Sequence, residues 1–238
     1  MTTSNKTTFN QNFELLEKHL NLKGVRPKTK EAYLRGVRQI GEYFEYQITE
    51  LSERQLLDYF NMLLEERSWS TLKHQLYGLK FFYKHVLNKP WEHVNLVEPP
   101  RTKTLPDIVS IEEAVMLFGA TRILSYKVFF FTLYSLGLRL GEGVRLTVAD
   151  IDTAHHRVHI RDAKGNKDRL VPLPAVTLNV LRRFWQLHRH PTPLFPNRKR
   201  GLAGCHLATT PLDRGGIQLA LRKVCETCAL KKRLRLIH

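Results

Sequence analysis

The chain is poor in cysteine, in long apolar runs and in acidic side chains. Its 238 residues include three cysteines, Cys205, Cys225 and Cys228, and this small odd number argues against the disulfide framework of a secreted domain. No segment approaches the roughly 18 consecutive apolar residues of a membrane span, and the polar stretch 1–10 lacks the apolar core of a signal peptide. We therefore expect a cytoplasmic protein with reduced thiols and no membrane partner.

Positive charge is abundant and unevenly distributed. The chain has 38 Lys and Arg against 22 Asp and Glu, a net charge of +16. Residues 1–100 contain 14 basic and 12 acidic side chains (net +2), whereas residues 101–238 contain 24 and 10 (net +14). Clustered cations favour a polyanion such as nucleic acid, because binding releases condensed counterions. Charge alone is equally compatible with an ordinary solvated basic surface.

Four amphipathic segments fill the first third of the chain. Apolar residues recur there at spacings of three and four, which predicts helices. The predicted helices span about residues 9–22, 28–44, 50–66 and 70–86, with Pro27 before the second and Ser70 as the cap of the fourth. We expect a helical bundle at residues 9–88, preceded by a disordered tail at residues 1–8.

A proline-rich stretch at residues 89–106 separates the bundle from a second predicted domain at residues 107–238, and it has the composition of a linker. In this second domain, Ser110 and Glu113 form a capping-box pattern at the start of a helix. A buried helix is predicted at about residues 126–136, followed by a β-hairpin around Lys164-Gly165-Asn166. Two further helices are expected at about residues 175–188 and 213–229.

The segment Gly137-Leu138-Arg139-Leu140-Gly141-Glu142 closes an apolar run at residues 128–140. A guanidinium at such a position usually binds an anion, since its planar fork matches phosphate or carboxylate. The alternative is an arginine that ends a helix and pairs with a carboxylate, for example Glu142. The sequence leaves both interpretations open at this point.

The cysteines also suggest a possible metal site. Cys205-His206 together with Cys225 and Cys228 could supply four zinc ligands. The second pair, however, lies inside a predicted helix, and the first lacks the spacing of a zinc knuckle. We expect neither a metal nor another cofactor.

The order of these motifs resembles the tyrosine recombinase (integrase) family over nearly the whole chain. The resemblance rests on the segment around Arg139, on Val148-Ala149-Asp150-Ile151, on Gly165 to Leu173, on Leu194-Phe195 and on Leu236-Ile237-His238. It implies a mainly α protein with a small β-hairpin or sheet. An N-terminal, SAM-like core-binding helical bundle would precede the catalytic domain, and the two would clamp a DNA duplex.

The resemblance also assigns roles to three residues. Arg139 would contact the phosphate at the cut, Lys164 would protonate the leaving 5′ oxygen, and His238 would begin the family's His-x-x-Arg box. Lys167 competes with Lys164 for the lysine role. The family's second arginine and tyrosine nucleophile would follow His238, so we expect a catalytic domain cut short and a chain that does not cleave DNA. The alternatives are an accessory or interfering DNA-binding protein and a gene remnant that folds poorly.

The expected partner is double-stranded DNA, a recombination site with inverted arms bound by a homo-oligomer, and no small-molecule substrate is expected. Several basic side chains are candidates for DNA contacts, although an ordinary solvated face explains them about as well. The candidates are Arg35, Arg38, Lys73, His74, Lys80 and Lys84 in the helical domain, and Lys167 and Arg169 on the hairpin.

Overall fold

A computed structural model describes residues 2–91, 108–163 and 167–230, together with residues 232, 234 and 236. The chain divides into two compact units, Met1–Thr102 and Lys103–His238. The division falls within the stretch 89–106 for which the sequence predicts a linker, and most of that stretch lies outside the described residues.

The first unit is a bundle of four helices. They are α1 (Thr2–Leu22), α2 (Pro27–Tyr43), α3 (Glu53–Glu66) and α4 (Trp69–His85). Their apolar faces form one core that includes Leu20, Ile40, Leu56, Phe60 and Leu79, each 2% exposed or less. Helices α2 and α4 approach closely, since a Cβ on Gly36 would lie 2.9 Å from the Cα of Gln75. The predicted helical bundle is confirmed.

Several boundaries in this unit differ from the sequence prediction. Helix α3 begins at Glu53 and not at about residue 50. Helix α1 begins at Thr2, so residues 2–8 continue the helix where a disordered tail was predicted. Residues 2–8 are polar, so the sequence shows no apolar periodicity there. The helix joins the core at Phe9, which is 5% exposed. The N-cap of α4 is Ser68, whose hydroxyl accepts a hydrogen bond from the Thr71 N–H at 3.4 Å. Ser70 was the wrong cap, because it already lies in the first turn.

The two serines provide a test of this boundary. We expect Ser68→Ala to lower the free energy of unfolding by about 1 kcal/mol, since it removes the acceptor for one of the unpaired N–H groups of the first turn. Ser70→Ala, two residues along in the helix, should change it by less than about 0.5 kcal/mol. Urea unfolding followed by circular dichroism measures both variants, and an equal loss in the two would contradict the assignment.

The second unit combines helices with a small sheet. Its elements are α5 (Ile111–Ala120), α6 (Leu124–Leu136), α7 (Leu140–Arg145), β1 (Ile151–Asp152), β2 (Arg157–Ala163), β3 (Lys167–Pro172), α8 (Ala175–His188) and α9 (Arg214–Thr227). The strands form an antiparallel sheet in the order β1-β2-β3. The predicted hairpin and the capping box of Ser110 and Glu113 are both present. The mainly α fold with a small sheet is confirmed.

Alternate side chains of strand β2 point into the core of this unit. Val158 and Ile160 are at most 1% exposed and contribute to a core that includes Phe129 and Phe195. The rings of Phe129 and Phe195 meet edge to face with their centroids 5.0 Å apart. Within the described ranges, no helix is both long and apolar enough to cross a membrane.

Candidate anion-binding site

Arg139 lies where the chain leaves one helix and enters the next. Gly137 ends α6 in the left-handed conformation, with φ 60° and ψ 38°, which glycine adopts without a Cβ penalty. Arg139 is then extended, with φ −71° and ψ 153°, and forms the N-cap of α7. The neighbouring Leu138 and Leu140 are 8% and 0% exposed. Two buried leucines therefore anchor the backbone on either side of the arginine, whose own side chain is 38% exposed.

Glu142 is the carboxylate at the centre of this site, and its side chain is only 3% exposed. Its Oε2 accepts the backbone N–H of Arg139 at 2.9 Å, and its Oε1 accepts Nη1 of the same arginine at 2.9 Å. From strand β3, Arg169 donates Nη2 to Oε2 at 2.8 Å. One buried carboxylate thus binds two guanidinium groups from two different elements.

Glu142 has a pKa below its ordinary value although it is buried. Burial raises the pKa, because it penalises the charged form. The hydrogen bonds from the Arg139 N–H and from the two guanidinium groups, together with the charge of Arg169, lower it by more. The carboxylate is therefore ionised at neutral pH, and the cluster of two guanidiniums and one carboxylate has a net charge of +1.

The Arg139 guanidinium retains capacity to bind an anion. A guanidinium has five N–H donors in a planar fork, and Glu142 takes one of them. In the part of the chain that the structure describes, Glu142 is the one partner of this side chain. The pairing with Glu142 considered from the sequence is present, and the half-exposed guanidinium is still able to bind a phosphate.

One side of the site is apolar. A groove of about 450 Å³ lies beside the two arginines and is lined by, among others, Phe118, Leu133 and Leu221. Apolar walls reduce solvent screening of the charges next to them. An anion bound at Arg139 would therefore interact with it more strongly than at an open surface.

The other residues predicted in the second unit are placed as follows. Arg169 is opposite Ile160 in the β2–β3 register, so it projects from the face of the sheet that meets the core and reaches Glu142. Lys167 is exposed at the start of β3, opposite Ala163. Lys164 and His238 lie outside the described residues, and the structure does not test their predicted roles.

The candidate DNA contacts of the first unit lie on α2 and α4, and most of them have partners within the protein. Arg35 is paired with Glu31 at 2.5 Å, and the guanidinium of Arg38 lies over the Phe13 ring at 5.1 Å. The Nδ1 of His74 is 2.6 Å from the Ser70 carbonyl oxygen, and Lys80 lies over the Trp91 ring at 5.8 Å. Lys73 is half-buried and Lys84 is exposed. These positions remain predictions.

The structure also brings together arginines that the sequence did not single out. A Cβ on Gly141 would lie 3.4 Å from Nη1 of Arg145 and 3.5 Å from Nη2 of Arg214. The guanidinium of Arg198 lies over the Tyr126 ring at 5.5 Å. The sequence indicated these residues only through the high positive charge of this half, because Arg145 in α7 and Arg214 in α9 share no sequence pattern.

The cysteines lie apart from this site. Cys205 is buried and its thiol donates to the Gly201 carbonyl at 3.0 Å, whereas the thiol of Cys228 donates to the Met116 carbonyl at 3.8 Å. Burial raises the pKa of the Cys205 and Cys225 thiols, which disfavours the thiolate form that binds metals. Among the described side chains, no group of three or more His, Cys, Asp or Glu is arranged to hold a metal ion.

Comparison with known proteins adds two family matches. Residues 13–93 match the sequence model of the phage integrase N-terminal SAM-like domain. Residues 107–236, more than half of the chain, match the model of the phage integrase family. The two matches correspond to the two structural units.

Individual relatives agree with these matches. The Sinorhizobium fredii protein y4qK, named as an integrase/recombinase, is 26% identical over 220 residues, which are 91% of this chain and 69% of y4qK. An integrase/recombinase of Escherichia coli is 31% identical over 160 residues, 65% of this chain and 47% of the relative. The chain thus spans between about half and two thirds of the length of these relatives.

Solved structures show the same fold. A lambda integrase fragment, crystallised as a dimer bound to a COC′ core site, superposes with a TM-score of 0.69 at 13% identity, over 93% of this chain and 82% of the fragment. At this identity the likeness concerns the fold alone. The family is shown by the two sequence models, one of which matches more than half of the chain: the chain belongs to the phage integrase family of tyrosine recombinases.

Proposed function

We propose that this chain binds double-stranded DNA as part of a site-specific recombinase, and that Arg139 holds the phosphate at which the strand is cut. The observation that carries the proposal is the Arg139 guanidinium, fixed on one side by Glu142 and with donors left for an anion. The charge of residues 101–238, 24 basic against 10 acidic side chains (net +14), supports a DNA partner. Family membership and the recombinase–DNA complexes of similar fold point the same way.

The geometry suits the chemistry of strand cleavage. A phosphodiester under attack gains negative charge on its non-bridging oxygens, and a guanidinium donates two parallel hydrogen bonds that strengthen as the charge develops. Glu142 keeps the guanidinium in one orientation, so little reorganisation is needed. By the family resemblance, Lys164 would protonate the leaving 5′ oxygen and His238 would belong to the same centre.

Cleavage in this family also needs a tyrosine that forms a 3′-phosphotyrosine, which conserves the energy of the cut bond for rejoining. The eight tyrosines of the chain all lie between residues 33 and 134, whereas the family's nucleophile would follow the box that begins at His238. For residues 1–238 we propose DNA binding as the activity to measure. Paired protomers on inverted arms are the proposed assembly.

The test is DNA affinity measured by fluorescence anisotropy on a site selected from random-sequence duplexes. We expect Arg139→Ala to weaken binding about tenfold, since one charge-assisted contact is lost. The slope of log K against log salt concentration should fall by about 0.9, as expected for one phosphate contact. Unchanged affinity and slope in this variant would contradict the proposal.

Arg139→Lys is the matched control. It keeps the positive charge but loses the planar fork. We expect its salt slope to stay close to that of the unmodified chain. Its affinity should lie between that of the unmodified chain and that of Arg139→Ala. Circular dichroism of both variants verifies that the helical content is retained.

A further inference from the structure

We propose that Arg169 is a positioning residue for Arg139, acting through Glu142, and that it does not itself contact DNA phosphate. The inference rests on the proposed role of Arg139 as a phosphate ligand. It assigns Arg169 a different role from the DNA contact that the sequence suggested.

The two oxygens of the Glu142 carboxylate have different contacts. Its Oε2 receives two hydrogen bonds, from the backbone N–H of Arg139 at 2.9 Å and from Nη2 of Arg169 at 2.8 Å. Its Oε1 accepts Nη1 of Arg139 at 2.9 Å. With Oε2 held on two sides, Oε1 has a fixed direction, and this direction sets the orientation of the Arg139 guanidinium.

Arg169 projects from the face of the sheet that meets the core. Strand β3 is paired with β2 along the register Val158↔Val171 and Ile160↔Arg169, and both Val158 and Ile160 are buried. The Nη2 of Arg169 also lies 3.5 Å from the Gly137 carbonyl oxygen, at the point where α6 ends. Arg169 therefore connects the sheet to both helices that flank Arg139, which suits a residue that fixes geometry.

Arg169 also affects the charge state of Glu142. Burial by itself raises the pKa of this carboxyl, and Arg169 is one of the groups that bring it below its ordinary value. Without Arg169 the carboxyl would be ionised less readily and could turn within its site. Arg139 would then lose its partner as well as its orientation.

A double-mutant cycle separates positioning from direct contact. Arg139→Ala, Arg169→Gln and the double variant are measured on the same selected DNA site, with affinity and salt slope as readouts. We expect each single change to weaken binding about tenfold, and the double variant to lose no more than either single one, because both act on the same phosphate contact. All three slopes should fall by about 0.9.

The same measurements also identify the results that would overturn the inference. A loss of about a hundredfold in the double variant, with a slope lowered by about 1.8, would mean that Arg169 binds a phosphate of its own and would overturn the inference. Full affinity in Arg169→Gln would overturn it as well, while leaving the role of Arg139 intact. If Arg139→Ala itself has no effect, the proposed function fails instead.

Two further variants exclude a general loss of structure. Glu142→Gln keeps the shape of the side chain and should reproduce the affinity and slope of Arg169→Gln. Arg169→Lys retains a cation beside Oε2 and should recover part of the affinity, which a folding defect at position 169 does not predict.

Discussion

Lowering the pH from 7 to 4 is expected to destabilise the second unit by about 3 kcal/mol through His188 alone. This residue ends α8 and is 2% exposed. Its Nδ1 accepts the His190 backbone N–H at 3.1 Å, and its ring packs against Phe184 with a centroid distance of 4.7 Å. Its Nε2 is buried without a hydrogen-bond partner among the described residues. Because Nδ1 accepts an N–H, the neutral ring carries its proton on Nε2, and a second proton on Nδ1 would break the hydrogen bond from His190. A backbone group of Leu194 offsets only part of the resulting preference for the neutral ring.

The direction of the effect follows from the pKa of His188. Burial, and then the nearby His190, lower this pKa from 6.5 to about 4. Between pH 6.5 and pH 4 the unfolded chain binds a proton at this position and the folded chain does not. The stabilisation is thus complete above pH 6.5 and is lost as the pH falls to 4, and 2.5 pKa units correspond to about 3 kcal/mol.

His188→Asn tests this assignment. The Asn Oδ1 can replace Nδ1 as the acceptor for the His190 N–H, but the side chain does not titrate. We expect lower stability at pH 7, since the smaller side chain leaves a cavity, and a much smaller further loss down to pH 4. Urea unfolding is followed by Trp185 fluorescence after Trp69→Phe and Trp91→Phe, which leave one of the three tryptophans. Parallel pH profiles for the two chains would show that His188 is not responsible.

Gly143→Ala is expected to lower the free energy of unfolding of the second unit by about 2 kcal/mol. Gly143 is buried in α7, and a Cβ there would overlap Cδ2 of Leu133 and lie 3.2 Å from Cε2 of Phe129. Both neighbours are core residues of α6 with 5% exposure or less. The new methyl group would therefore push α7 away from α6, and Arg139 and Glu142 would move with α7.

Gly119→Ala is the matched control for this substitution. It also lies in a helix of the second unit, but nothing is within 4 Å of its Cβ position, so alanine should stabilise the unit by about 0.5 to 1 kcal/mol. Chemical unfolding measures both variants, and anisotropy measures their DNA affinity. If Gly143→Ala keeps full stability and full DNA affinity, close packing of α7 on α6 does not determine the positions of Arg139 and Glu142.

The elements that the sequence predicted are those with a strong local signal. The helices of the bundle, the helix at 175–188 and the hairpin all show periodicity over many residues. Helix α7 has six residues and β1 has two, which is too short for a periodicity to be visible. Residues 2–8 were assigned to a tail because their polar side chains show no apolar periodicity, although they continue the helix whose residue Phe9 packs in the core.

The candidate site was only partly predictable for a related reason. The Gly-Leu-Arg segment identified Arg139, and the spacing of three residues identified Glu142 as a partner. Arg169 was predicted as a DNA contact, since a basic residue on a hairpin gives no sign of which face of the sheet it occupies. That depends on the register Ile160↔Arg169, a long-range pairing. The guanidinium groups of Arg145 and Arg214 lie beside Gly141 only in the folded unit, so the sequence does not show that they are neighbours.

The cap of α7 lowers the entropy cost of binding an anion at Arg139. The carboxylate that accepts the Arg139 backbone N–H also accepts its guanidinium, so forming this helix and orienting the arginine are one event. The side chain therefore loses rotamer freedom during folding, and less ordering entropy opposes the binding of an anion. Hydrogen exchange at the Arg139 amide tests this coupling, because that proton exchanges only when the Glu142 carboxylate releases it.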